Sequence, residues 1–250
     1  MGELPSTRLQ HSRPFLTTGV DYTGQILRLG PPCSKSITKV YIAIFVCFVS
    51  KAVHIEVVTS LNTEAFLAAL RSFIARGWKP RTICSDNVTI IQGAANELNE
   101  IYKMIQSTWQ VARVKDFWAT EGCEWKLIPP HGPHFGGLWE AALKSMKYHL
   151  RRKLRSQVAT YEELCTILAE IEACLNSKPL FALSDDPFNP TFLSPGQFLI
   201  EEPLTQLPAA DFTDVKCYRL SRWQTYQQQL QQFWQHWSSD YLQSMQQCQR

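Results

Sequence analysis

Apolar positions along this chain change period in a way that lays out its elements. From Phe15 to Asp21 a strand is expected to run into the turn Tyr22-Thr23-Gly24. The run from Val40 to Val49 is apolar on both faces, the pattern of a central strand. Ser50-Lys51-Ala52 turns the chain back into Val53-His54-Ile55-Glu56-Val57-Val58, which alternates as an outer strand does. The period then lengthens. Asn62-Thr63-Glu64 has cap chemistry, and Phe66, Leu67, Leu70, Phe73 and Ile74 form a helical stripe that stops at Gly77. A strand from Arg81 to Cys84 leads to Asp86, helical segments follow over 94–105 and 109–118, and Glu124-Trp125-Lys126-Leu127-Ile128 is a further strand.

Two more helices are expected over 138–155 and 161–176, followed by an irregular Pro-rich stretch. After Leu220 glutamine dominates, with Trp223, Tyr226, Leu230, Phe233, Trp234, Trp237, Tyr241 and Met245 at helical spacing. Such a stripe is more often a packing face than a base-stacking surface, and it could cover a subunit interface. The result is an α/β chain: a mixed sheet flanked by helices, with a long C-terminal amphipathic helix. Residues 1–13 read as a flexible lead-in left from a longer polyprotein, 14–200 as the core, and 201–250 as a linker and helix.

With 250 residues, 45% of them hydrophobic, the chain can bury a proper core. A net charge of +3 says little about partners, but the distribution says more. From Ala141 to Thr160 there is no acidic residue, while Lys144, Lys147, Arg151, Arg152, Lys153 and Arg155 crowd together. The eight cysteines contain no C-x-x-C pair and read as reduced thiols. The apolar run 40–49 is too short to cross a bilayer and the N-terminus lacks a signal-peptide core, so no membrane is expected and nucleus or cytoplasm is the default.

Three acidic residues carry the candidate chemistry: Asp21 in Thr18-Gly19-Val20-Asp21-Tyr22-Thr23-Gly24, Asp86 in Cys84-Ser85-Asp86-Asn87, and Glu140 in Pro133-His134-Phe135-Gly136-Gly137-Leu138-Trp139-Glu140. Two fall at strand ends and one at a helix start. An Asp at a strand end is by itself usually a turn or cap residue. Three carboxylates converging in a fold would repel one another unless divalent cations lay between them. That is the composition of a two-metal phosphoryl-transfer site. His131 and His134 lack the further ligands a zinc site needs.

In order, setting and strand-strand-helix placement, these residues resemble the catalytic core of retroviral-type integrases, most closely those of BEL/Pao retrotransposons. The resemblance runs from about Arg13 to the C-terminus, and its most specific piece is Ile128 to Glu140, where Pro130, Pro133, Gly137 and Glu140 match the family spacing P-x-x-P-x-x-x-G-x-x-E. It implies a ribonuclease-H-like fold with a five-stranded mixed sheet. It further implies a D-D-E enzyme that trims the 3′ ends of element DNA and joins them to target DNA. By carry-over, Asp21 bridges two Mg²⁺ or Mn²⁺ ions, Asp86 holds one and Glu140 the other, while Lys144 and Lys147 sit where integrases contact the element end. Thr89 occupies a target-DNA position. Arg151 extends the face that Glu140, Lys144 and Lys147 share at helical spacing. A homo-oligomer gripping DNA ends is implied as well.

The chain departs from the family at Val88, where glycine usually follows Asp-Asn, adding bulk beside a carboxylate. The upstream zinc module and downstream β-barrel domain of such integrases are expected to be missing. These departures motivate a second reading, a domesticated or decayed integrase that binds DNA or assembles without catalysis. A plain nuclease of the same fold is a third.

Overall fold

The computed structural model describes residues 12–22, 26–29, 37–86, 124–128, 147–148, 160–184, 186, 191–204 and 208–247. Its strands β1 (Thr17–Tyr22), β2 (Ile26–Leu29), β3 (Ile37–Cys47), β4 (Val53–Val58), β5 (Thr82–Asp86) and β6 (Glu124–Ile128) belong to one mixed sheet. The order is β2-β3-β1-β5-β6, with β4 also paired to β3. β3 runs antiparallel to both β1 and β4, whereas β1, β5 and β6 are mutually parallel neighbours. Among the described residues the sheet therefore has six strands rather than the five expected from sequence. The extra one is β2, four residues whose brevity hides any period. The chain divides into two units, one of residues 1–25 and 39–140, the other of 26–38 and 141–250.

In the first unit, β3 is buried continuously from Ile42 to Cys47, as a run apolar on both faces requires. The turn after it places Lys51 at φ 56°, and the Ala52 carbonyl accepts the Cys47 N–H at 2.8 Å. The Cys47 sulfur is held from both sides of the turn, because it accepts the backbone N–H of Phe15 at 3.1 Å and of Ser50 at 3.4 Å. Helix α1 (Thr63–Ala75) starts where Asn62 Oδ1 accepts the Ala65 N–H at 2.8 Å. That cap satisfies one of the orphan donors of the first turn. Past the helix, Gly77 takes φ 93°, a conformation that favours glycine. The buried face of α1 brings Phe73 into a face-to-face stack on Phe45, with ring centroids 4.4 Å apart, and edge-on to Phe15 at 5.1 Å. His54 and Trp78 close this aromatic nucleus at 5.0 Å from each other.

In the second unit, α2 (Tyr161–Asn176) opens on a reciprocal capping box between Thr160 and Glu163. It buries Leu164, Ile167, Leu168 and Ile171. β7 (Phe181–Ala182) and β8 (Phe192–Leu193) form a small antiparallel pair inside the stretch expected to be irregular. Two residues per strand are too few for alternation to register. A short helix, α3 (Gln197–Ile200), follows. Gly196 just before it donates its N–H to the Asn176 carbonyl at 2.8 Å. A Cβ there would lie 2.7 Å from Leu204 Cδ1 and 3.2 Å from that carbonyl. Gly196→Ala is expected to cost about 1–2 kcal/mol, the lower part of the overpacking range because the Leu204 side chain can rotate away. A lowered urea midpoint with unchanged slope checks it.

The long helix α4 (Arg222–Gln247) buries Tyr226, Phe233 and Trp237, so that part of the tail stripe is a packing face, while Trp223, Trp234 and Met245 of the same stripe are exposed. Gln228 Nε2 donates to the carbonyls of Phe212 and Val215, both at 2.6 Å, which fastens the preceding segment to the helix. At its start α4 is tied to α2 through Glu163. This carboxylate accepts Arg222 Nε at 2.6 Å, Arg222 Nη2 at 2.7 Å, the Tyr226 hydroxyl at 2.8 Å and the Thr160 N–H at 2.8 Å. Burial pushes its pKa up, but those hydrogen bonds and the guanidinium charge outweigh burial and hold it down to about 2. A depressed carboxylate stabilises the fold above its ordinary value and loses that contribution as pH falls through the folded value. Stability of this unit should therefore fall between about pH 4.5 and pH 2, and Glu163→Gln should flatten that limb. Melting curves across that window provide the check.

Candidate functional site

β1 and β5 lie side by side, parallel and without a bulge: Thr17 is level with Thr82, Gly19 with Cys84 and Val20 with Ser85. Continuing the alignment by one residue brings Asp21 level with Asp86, each at the carboxyl end of its strand. Neighbouring strands are about 4.8 Å apart, and aligned positions occupy the same sheet face. β6 continues the row, since Asp86 is level with Ile128. The three parallel strands thus end together, where ligands of open α/β sheets bind.

Asp21 is partly buried, and its Oδ1 accepts the N–H of Tyr22 at 2.7 Å. Tyr22 packs its ring toward Phe66 of α1, with centroids 6.4 Å apart. Burial pushes the Tyr22 phenol well above its ordinary value, so it stays a neutral hydroxyl beside the carboxylate. Behind Asp21, Thr18 is fully buried and its hydroxyl donates to the Phe15 carbonyl at 2.8 Å. The strand that presents Asp21 is therefore fixed both by the sheet and by the start of the chain's core.

The other residues singled out in the sequence fall as follows. Glu140, Lys144, Arg151 and Thr89 lie outside the described residues, as do the helices expected over 94–105 and 109–118 and the loop 129–139. Lys147 is helical and partly exposed, next to Tyr148, which is 57% exposed. Among the described residues, no group of three or more His, Cys, Asp or Glu comes together as a metal cluster. Those cysteines that are described, among them buried Cys47, Cys84 and Cys174, are free thiols. No helix among the described residues is long and apolar enough to cross a membrane.

No protein-family model matches the chain, and no curated protein matches it significantly. Among solved structures it is similar to a simian T-cell lymphotropic virus intasome determined by cryo-electron microscopy in complex with the PP2A regulatory subunit B56 gamma. The likeness is distant. Identity is 15% and the TM-score 0.48, over 84% of this chain and 62% of the other. The chain thus spans less than two thirds of that neighbour's length.

Sequence reasoning missed one polar cluster in the first unit. Glu56 Oε1 lies 3.0 Å from His54 Nε2, accepts the Ser72 hydroxyl at 2.6 Å and lies 3.4 Å from Arg76 Nη2. Burial pushes the Glu56 pKa up, yet the hydrogen bonds from His54 and Ser72 and the charges of His54 and Arg76 together hold it below its ordinary value. This cluster ties β4 to α1. In the sequence, His54 and Glu56 are only polar positions in an alternating strand, and nothing local pairs them with residues of the next helix.

Proposed function

We propose that this chain is the ribonuclease-H-like catalytic core of an integrase of the BEL/Pao retrotransposon type, a polynucleotidyl transferase that trims and joins DNA ends. The observation that supports this reading is the register of β1 on β5, which pairs Val20 with Ser85, the residues just before Asp21 and Asp86. The succession of antiparallel β1, β3 and β4, helix α1, then β5 and β6 parallel to β1 supports the fold assignment.

Aspartates at two neighbouring strand positions would be a donor set that suits Mg²⁺ or Mn²⁺, hard ions that take oxygen ligands. Asp21 and Asp86, joined by Glu140, would hold such ions. When bound, they charge-stabilise the attacking and leaving oxygens of an in-line phosphodiester displacement. The chain's own residues do the rest. The Tyr22 N–H orients the Asp21 carboxylate, and the parallel strands fix the separation of positions 21 and 86 before DNA arrives. Lys144, Lys147 and Arg151 bind backbone phosphates of the element end, Thr89 touches target DNA, and the enzyme works as a homo-oligomer in the nucleus and cytoplasm.

A second reading, a non-catalytic DNA-binding or assembly module descended from such an integrase, is favoured by Val88. One experiment separates the two. Duplexes that mimic element ends are incubated with the chain and Mn²⁺, and products are resolved on denaturing gels. Shortened strands together with longer branched products support the transferase. Shortened strands alone point to a nuclease, and unaltered DNA that is nonetheless bound points to the module.

A further inference from the structure

β1 runs one residue past Asp21, to Tyr22, and strand alternation sends the Tyr22 ring to the other face of the sheet, where it meets α1. There Tyr22 is level with Ala43 of β3, the smallest residue of the apolar run 40–49 and fully buried. Residues level across an antiparallel pair have Cβ atoms about 4.5–5.5 Å apart, so the bulk missing at Ala43 is room for the neighbouring ring. Phe66 of α1 bounds the same ring on the helix side, at 6.4 Å between centroids.

The helix that bears on Tyr22 is itself held down farther along. Glu56 is level with Ala43 on β4 and draws in Ser72 and Arg76, while Phe73 stacks on Phe45. Phe66 and Phe73 are seven residues apart, two helical turns on one face, so fastening α1 at Phe73 also fixes the height of Phe66 over the sheet. Turning the Asp21–Tyr22 peptide would require the ring to leave this slot. The N–H of that peptide is the one donated to Asp21 Oδ1 at 2.7 Å. A carboxylate engaged through one oxygen keeps its remaining lone pairs for a cation.

We infer that Tyr22 is the positioning residue for Asp21: its ring, lodged beside Ala43 and under Phe66, fixes the peptide whose N–H holds the carboxylate, and so sets the orientation in which Asp21 meets a divalent cation. This role rests on the metal-site reading proposed above. It belongs to the ring and not to the hydroxyl, because the slot is lined by Ala43 and Phe66 and calls for an aromatic disc. Alanine at position 22 keeps the N–H but frees the peptide to turn. Phenylalanine keeps both the N–H and the wedge.

The test uses the full chain and begins without metal. Hydrogen-exchange protection of the amide at position 22, corrected for side-chain identity, should fall about tenfold or more in Tyr22→Ala and stay parental in Tyr22→Phe. The Mn²⁺ concentration that half-saturates the rise in melting temperature should increase about tenfold in Tyr22→Ala, the low end of the effect of outer supports on metal affinity, and return to the parental value in Tyr22→Phe. Ile74→Ala, at a half-buried site in the last turn of α1, serves as the control: it should lower the melting temperature and move neither readout. Parental protection or parental Mn²⁺ dependence in Tyr22→Ala overturns the assignment. So does a Tyr22→Phe variant as impaired as Tyr22→Ala, or an Ile74→Ala variant that shifts both readouts equally. A parent that Mn²⁺ does not stabilise overturns the metal-site reading and this role with it, whereas a parent that responds to Mn²⁺ beside an unaffected Tyr22→Ala overturns the role alone.

Discussion

Asparagine in place of Asp86, or of Asp21, is expected to reduce Mn²⁺-dependent DNA cleavage and joining by more than about 100-fold, because even the outer supports of a metal site are worth 10–100-fold. The change preserves size and removes one charge, so the fold should survive. Two carboxylates on adjacent positions repel one another when no cation lies between them. Without divalent ions the variants should thus melt at the same temperature as the parent or slightly above it. Added Mn²⁺ should raise the melting temperature of the parent and not of the variants, since a ligand stabilises only the state that binds it. Gel assays and calorimetry on the same samples read both effects. Unchanged product formation in Asp86→Asn would sink the metal-site assignment, whatever the stability data show.

The largest stability effect should come from Phe73→Ala. Phe73 is fully buried and touches four other rings: Phe45 at 4.4 Å, Phe15 at 5.1 Å, and His54 and Trp78 at 5.6 Å. Those neighbours come from the chain's start, two strands and the segment after α1, so no single element can move in to fill the gap. Removing a buried phenylalanine costs about 3–5 kcal/mol where the site cannot collapse. Aromatic pairs add about 0.5–1.5 kcal/mol beyond area burial, which places this site toward the upper end. Urea denaturation followed by tryptophan fluorescence gives the measurement, with Trp78 reporting directly on the nucleus. A loss below about 1 kcal/mol would mean the nucleus repacks and is not the keystone of the first unit.

Legibility in the sequence followed the range of the forces involved. β4 and α2 occupy the residues read from periodicity, and α1 begins at its Asn62 cap and stops before Gly77, because period, cap and stop signals are all local. β3 starts three residues earlier than its apolar run, at Ile37, since strand pairing extends past the hydrophobic stretch. β2 and the β7–β8 pair escaped notice because strands of four and two residues carry too little pattern. The acidic motifs located Asp21 and Asp86 as strand-end residues, but their alignment comes from the pairing of β1 with a strand 60 residues farther on. The Glu56 and Glu163 clusters were invisible for the same reason. Beside a local partner, each draws on a distant one: Ser72 is 16 residues from Glu56, and Tyr226 is 63 from Glu163.

The alignment of β1 and β5 without a bulge also makes the proposed centre brittle toward changes in chain length. A one-residue insertion within Thr82–Asp86 would remove no amino acid and still shift the position of Asp86 to the opposite side of the sheet. Evolutionary tolerance for insertions should accordingly be near zero inside these two strands, and ample in turns such as Phe48 to Lys51, whose lengthening shifts no carboxylate.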